Sequence, residues 1–159
     1  MTKKALLIID MQIHFDTAHK KETIANCIDL IKMAIMDKLP IIVLEYEYNG
    51  RTLEALREYL DLYPNVFYQT KDEDDGADRV VDLVEEEGLE IDEFIVCGVN
   101  LGACVASTVR TLSQEYNYKI DLIQKACNGH NDPKEDFRHH RKTFGHKNVN
   151  IICDLLVLV

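Results

Sequence analysis

An α/β fold built on a mainly parallel sheet is what this sequence predicts, and three observations predict it. Short apolar runs rich in β-branched residues recur along the chain. Helical patterns of about 10 to 15 residues separate them, the signature of repeated βαβ units with helices on both faces. Chemically useful side chains stand where the runs stop: Asp10, Lys71 and Cys104.

The first run, KALLII at 4–9, reads as a buried strand and ends abruptly at Asp10. From 22 to 38, Ile24, Cys27, Ile28, Ile31 and Ile35 follow helical spacing, and Pro40 bars continuation. IIVLEY at 41–46 is a second strand. Leucines at 53, 56 and 60 predict a short helix between Gly50 and Leu62, stopped by Pro64. Residues 66–69 form a weak strand leading to Thr70 and Lys71. Val80, Val81 and Val84 line one side of an acidic helix over 77–87, closed by Gly88.

Phe94, Ile95, Val96 and Cys97 make the fourth strand, broken at Gly98. Beyond it Val105, Val109 and Leu112 recur at helical spacing, so Cys104 falls in the first turn of a helix. KIDLIQ at 119–124, a helix over 133–144 and a strand over 149–156 complete the pattern. Nothing in the sequence marks a linker, so residues 1–159 read as one domain.

Composition narrows the function. The chain is 47% hydrophobic and 29% charged, with a net charge of −10, which repels nucleic acid phosphate and excludes it as the main partner. No apolar run reaches the roughly 20 residues of a bilayer span, and MTKKALLIIDMQ lacks a secretory cleavage pattern. The expectation is a cytoplasmic protein with no membrane partner. Five cysteines without CxxC pairing read as reduced thiols rather than a disulfide framework or zinc site.

In a parallel sheet all carboxyl ends share one edge, so Asp10, Lys71 and Cys104 are expected on one rim, where such sheets bind ligands. Unpaired amides and the helix dipole at Cys104 would favour thiolate and lower its pKa. Gly98 and Gly102 would bring main-chain amides close to whatever the sulfur attacks. Two readings of Cys104 stay open on the residues alone, a nucleophile or a small core residue. Asp10 likewise reads as a catalytic carboxylate or as a loop cap.

The motifs resemble those of the isochorismatase-like cysteine hydrolase superfamily. ALLIIDMQIHF is similar to its first strand, with the catalytic aspartate at Asp10 followed by Met-Gln; Lys71 matches its catalytic lysine. VCGVNLGACVASTVRTL is similar to its cysteine signature, and KAC at 125–127 to a later strand end. The resemblance implies a three-layer α/β/α fold with a mainly parallel six-stranded sheet and an Asp10-Lys71-Cys104 triad. It also implies a cis peptide between Val99 and Asn100, an oxyanion hole from the backbone N–H groups of Asn100 and Cys104, and assembly as a homo-oligomer.

The implied activity is cleavage of a C–N bond in a small amide or ureido substrate. The alternatives are vinyl-ether hydrolysis and a catalytically idle subunit of the same fold. Nicotinamidases of the superfamily bind metal just after strand two, through an Asp-x-His pattern; here Glu45, Tyr46, Glu47, Tyr48 and Asn49 stand there, so no metal and no cofactor is expected. Glu45 and Glu47, with His14 and Phe15 after the first motif, are candidate substrate contacts. His139 and His140 lie on different helix faces and cannot chelate together. The acidic DEDDGAD after Lys71 disfavours an anionic substrate.

Overall fold

A computed structural model describes residues 2–155. Six strands form one sheet in the order β3-β2-β1-β4-β5-β6, every pair parallel. They are β1 (Lys4–Ile9), β2 (Ile41–Tyr46), β3 (Val66–Lys71), β4 (Glu93–Val99), β5 (Lys119–Asn128) and β6 (Val149–Ile152). The helices are α1 (Lys21–Met36), α2 (Glu54–Leu60), α3 (Ala77–Glu86), α4 (Ala106–Gln114), α5 (Pro133–His139) and α6 (Arg141–Phe144).

Alternation along β1 builds the layers. Ala5, Leu7 and Ile9 join a core with Val80 and Val84 of α3, Val109 and Leu112 of α4, and Phe144 of α6. Leu6 and Ile8 face the other way, onto Cys27, Leu30 and Ile31 of α1 and Leu56 of α2. Both faces of the sheet are thus sealed, as a parallel sheet requires. No described helix is long and apolar enough to cross a membrane.

The chain runs outward from β1 through β2 to β3, then returns to place β4 on the other side of β1. The carboxyl ends of β1 and β4 therefore flank the point where strand order reverses, where doubly wound sheets open a crevice. Gly98 makes the junction possible. It sits at φ +127°, and a Cβ there would lie 2.0 Å from the Ile9 carbonyl oxygen.

Several expected boundaries move, each for a tertiary reason. β4 does not stop at Gly98 but continues to Val99 beside β5. β5 runs four residues past Gln124, because a bulge between Leu122 and Cys127 re-seats it on Gly98 and Val99. β3 extends to Lys71, held by a register that pairs Lys71 with Tyr46. The expected 133–144 helix is two, divided at His140 (φ −108°, ψ 35°). The last strand ends at Ile152 rather than 156, and Leu156 lies outside the described residues.

Candidate active site

Asp10 follows β1 directly and adopts φ 55°, a left-handed conformation uncommon outside glycine, asparagine and aspartate. Its amide donates to Leu44 O (3.1 Å), and its carbonyl accepts from Gln12 N (2.8 Å). The carboxylate is thereby turned in at the crevice, 0% exposed. Lys71 starts two strands away, and adjacent strands lie about 4.8 Å apart, so only a long side chain bridges the gap. Its Nζ passes 4.1 Å from the centre of the Tyr46 ring and stops 3.0 Å from Asp10 Oδ2.

The ammonium forms an ion pair with Asp10 Oδ2 and donates hydrogen bonds to Glu73 O (3.0 Å) and Asp74 O (3.1 Å). Lys71 therefore does two things, neutralising a buried carboxylate and folding the 72–76 loop back over itself. Gly76 N then donates to Thr108 Oγ1 (3.0 Å), and Thr111 Oγ1 donates to Asp75 Oδ2, which fastens the loop to α4.

Cys104 lies in a single π-helical turn, Leu101–Val105, that precedes α4. The Val99–Asn100 peptide before it is cis. Asn100 O accepts from the amides of Ala103 and Val105, and Asn100 Oδ1 accepts from Thr17 Oγ1 (2.5 Å). Gly102 serves by its lack of a side chain, since a Cβ there would meet Asp136 Oδ1 at 2.3 Å.

Cys104 is 4% exposed and Lys71 1%, so the three groups share a nearly dry corner. Burial pushes the Asp10 carboxyl up from its ordinary value, against the Lys71 charge that pulls it down, while the Cys104 thiol donates to Asp74 Oδ1 (3.8 Å). The cysteine behaves oppositely to the sequence expectation. Burial first and the Asp10 charge second push its thiol up to about 12, and Lys71 offsets only part of this. Desolvation outweighs the dipole of a short helical turn, so the sulfur rests as the thiol.

Of the other expected contacts, Phe15 packs edge-on to Tyr46 with ring centres 6.3 Å apart, and so reaches the site at second hand. Glu45 is engaged elsewhere: its carboxylate accepts from Thr52 N (2.7 Å) and Thr52 Oγ1 (2.9 Å). His14 and Glu47 are exposed; the Glu47 amide donates to Lys71 O (2.9 Å), but neither side chain forms an ion pair with Asp10, Lys71 or Cys104 among the described residues. No cluster of three metal-ligating side chains occurs among the described residues.

Sequence reasoning missed three supports. Gln12 is fully buried, donating to Tyr46 O (2.9 Å) and Gly50 O (2.7 Å) and accepting from Tyr46 N (2.7 Å). It holds the β2 exit over the crevice, and its only signal was its place after Asp10 and Met11. Tyr46 forms the wall along which Lys71 runs. Asp74, one acid among many in the sequence, places Oδ1 3.8 Å from Cys104 Sγ.

Residues 4–152 match the family described as the Isochorismatase domain. No curated protein matches the sequence significantly. Among solved structures, a MAR1 ribonuclease from Caenorhabditis elegans superposes with a TM-score of 0.81 at 21% identity, covering 99% of this chain and 80% of that one. The nicotinamidase SaPncA from Staphylococcus aureus gives 0.78 at 19% identity, covering 96% and 100%. An N-carbamoylsarcosine amidase from Thermoplasma acidophilum gives 0.75 at 15%, covering 94% and 95%. At these identities the likeness is one of fold.

Proposed function

The chain belongs to the isochorismatase family of hydrolases, and from that premise we propose that it is a cysteine amidohydrolase cleaving a C–N bond of a small amide or ureido compound. The observation that carries this reading is the Lys71 ammonium 3.0 Å from Asp10 Oδ2, with both groups and Cys104 buried together at one sheet edge.

The thiol hands its proton to Asp10 as the sulfur attacks the carbonyl carbon, so no free thiolate need accumulate. The backbone N–H groups of Asn100 and Cys104 receive the developing oxyanion, a contribution of roughly 3 to 4 kcal/mol per donor in other enzymes. Asp10 then passes the proton to the departing nitrogen as the C–N bond breaks, leaving a thioester on Cys104. A water, deprotonated by Asp10, attacks the thioester and releases the acid, and the proton returns to sulfur. Throughout, Lys71 keeps Asp10 ionised in a place where burial alone would protonate it.

The carboxylates around this corner disfavour a polyphosphate substrate such as RNA, despite the ribonuclease among the structural neighbours. The burial of Cys104 supports the idle-subunit alternative. One experiment separates them: ammonia release from a panel of small amides and ureido compounds, with Cys104→Ala as control. The proposal expects turnover that Cys104→Ala abolishes while the far-ultraviolet spectrum is unchanged. Equal rates in the two proteins would end it.

A further inference from the structure

We propose that Asp74 is the specificity residue of this site, its carboxylate reading a positive charge beside the scissile carbonyl, so that the substrate class is a cationic amide or ureido compound. This rests on the amidohydrolase reading above and names the substrate that reading leaves open.

The triad is buried, but Asp74 is exposed, and its Oδ1 lies 3.8 Å from the nucleophilic sulfur. It is the charged group on the solvent side of Cys104. A substrate carbonyl brought to the sulfur must carry its neighbouring substituent past this carboxylate.

Its position is set by the fold. Lys71 Nζ holds the Glu73 and Asp74 carbonyls, and Thr108 and Thr111 hold Gly76 and Asp75. The loop is pinned on both sides of residue 74, which fixes the direction of the side chain and lowers the entropy lost on binding. No ion pair among the described residues involves Asp74, while the nearest ammonium, Lys71, is committed to Asp10. The carboxylate therefore has no cation of its own.

The surroundings act in the same direction. A surface cavity of about 290 Å³ opens beside Lys71, lined by five carboxylates between Asp72 and Asp82 with Lys71 and Arg79. The field in this cavity attracts cations and repels anions. Uncharged amides gain nothing from it.

The test needs no prior substrate. Cys104 is reacted at pH 8.5 with two methanethiosulfonates of similar size, one bearing a trimethylammonium group and one a sulfonate. In both the thiol loses its proton to solvent, the sulfur forms the new S–S bond, and methanesulfinate leaves. Mass spectrometry of the Cys104 peptide gives the two rates. A carboxylate this close changes the rate by about tenfold per unit of reagent charge at low salt, so the cationic reagent reacts faster.

Asp74→Asn reduces the cation-to-anion ratio by about tenfold or more, and Asp29→Asn, exposed on α1, leaves it near the parent value. Equal rates for the two reagents, a ratio unchanged by Asp74→Asn, or no labelling of Cys104 by the cation overturns the proposal. Glycinamide and propionamide, one cationic at pH 6.5 and one neutral, extend the test to turnover. Preference for glycinamide that Asp74→Asn removes supports it. Ammonia release without preference rejects Asp74 as the reader and leaves the amidohydrolase reading standing; a charge-selective thiol without release of ammonia from any amide has the reverse meaning.

Discussion

Replacing Lys71 with methionine tests the site through stability alone. The change keeps the unbranched chain as far as Cε and removes the ammonium, leaving Asp10 buried without its cation. Both groups are at most 1% exposed, so solvent screening does not soften the loss. Breaking a buried pair by removing one partner costs about 3 to 5 kcal/mol, a large part of the 5 to 15 kcal/mol of a typical domain. The sign of the pH dependence follows. Burial already raises the Asp10 carboxyl, and loss of the Lys71 charge raises it further. The folded chain then holds this proton more tightly than the unfolded chain, whose carboxyl titrates near 3.9.

The deficit is therefore smallest near pH 4 and grows as pH rises through the raised folded value. Urea unfolding followed by circular dichroism at pH 5 and pH 8, with the m-value checked for constancy, measures it. Asp10→Asn in the same chain removes the stranded charge and recovers most of the loss. A Lys71→Met deficit below about 1 kcal/mol at pH 8, or no recovery in the double variant, refutes the buried pair on which the site is built.

Asp10→Asn by itself abolishes amide hydrolysis yet lowers the Cys104 pKa below about 12, because the Asp10 charge and hydrogen bond are among the causes that raise it; iodoacetamide labelling against pH shows a faster thiol in the inactive variant. Gly98→Ala forces a methyl group against Ile9 O in a backbone conformation hostile to alanine, and costs more than about 4 kcal/mol, read as insoluble protein or a collapsed urea midpoint. Thr108→Val leaves the buried Gly76 amide without its acceptor, costs about 1 to 3 kcal/mol, and reduces the charge selectivity of Cys104 labelling because the 72–76 loop loses an anchor.

Legibility in the sequence tracked how local the deciding physics was. β1 and β2 were readable to the residue, since each is built on a run of at least four apolar residues with a hard edge at Asp10 or Pro40. β3 was read short because it is an edge strand whose residues alternate between half-buried and exposed, and only pairing with β2 carries it to Lys71. The tail of β5 was missed because its bulge is set by the neighbouring β4. The three chemical residues were legible as strand-end residues; the Asp10–Lys71 pairing was expected only through the family resemblance, since its geometry depends on the β3-β2-β1 order and on Tyr46 as a guide. Asp74 could not be singled out, because its neighbours in sequence are equally acidic and its position comes from Lys71 and Thr108.

The raised thiol pKa says how such a site must work. With a value of about 12, the thiolate population at pH 7 is about one part in 10⁵, too small a pool to be the working nucleophile of an efficient enzyme. A neighbouring carboxylate that takes the proton only as the S–C bond forms removes that penalty, since the negative charge passes to the carbonyl oxygen instead of resting on sulfur. The cost of a buried anion is then met once, on Asp10, and Lys71 meets it permanently. On this logic the lysine serves the aspartate more than the cysteine. Removing Lys71 should lower turnover chiefly by protonating the base, and the activity left in Lys71→Met should shift toward alkaline pH, where the carboxylate returns. Residual activity with an unshifted pH profile would instead place the Lys71 charge on the sulfur.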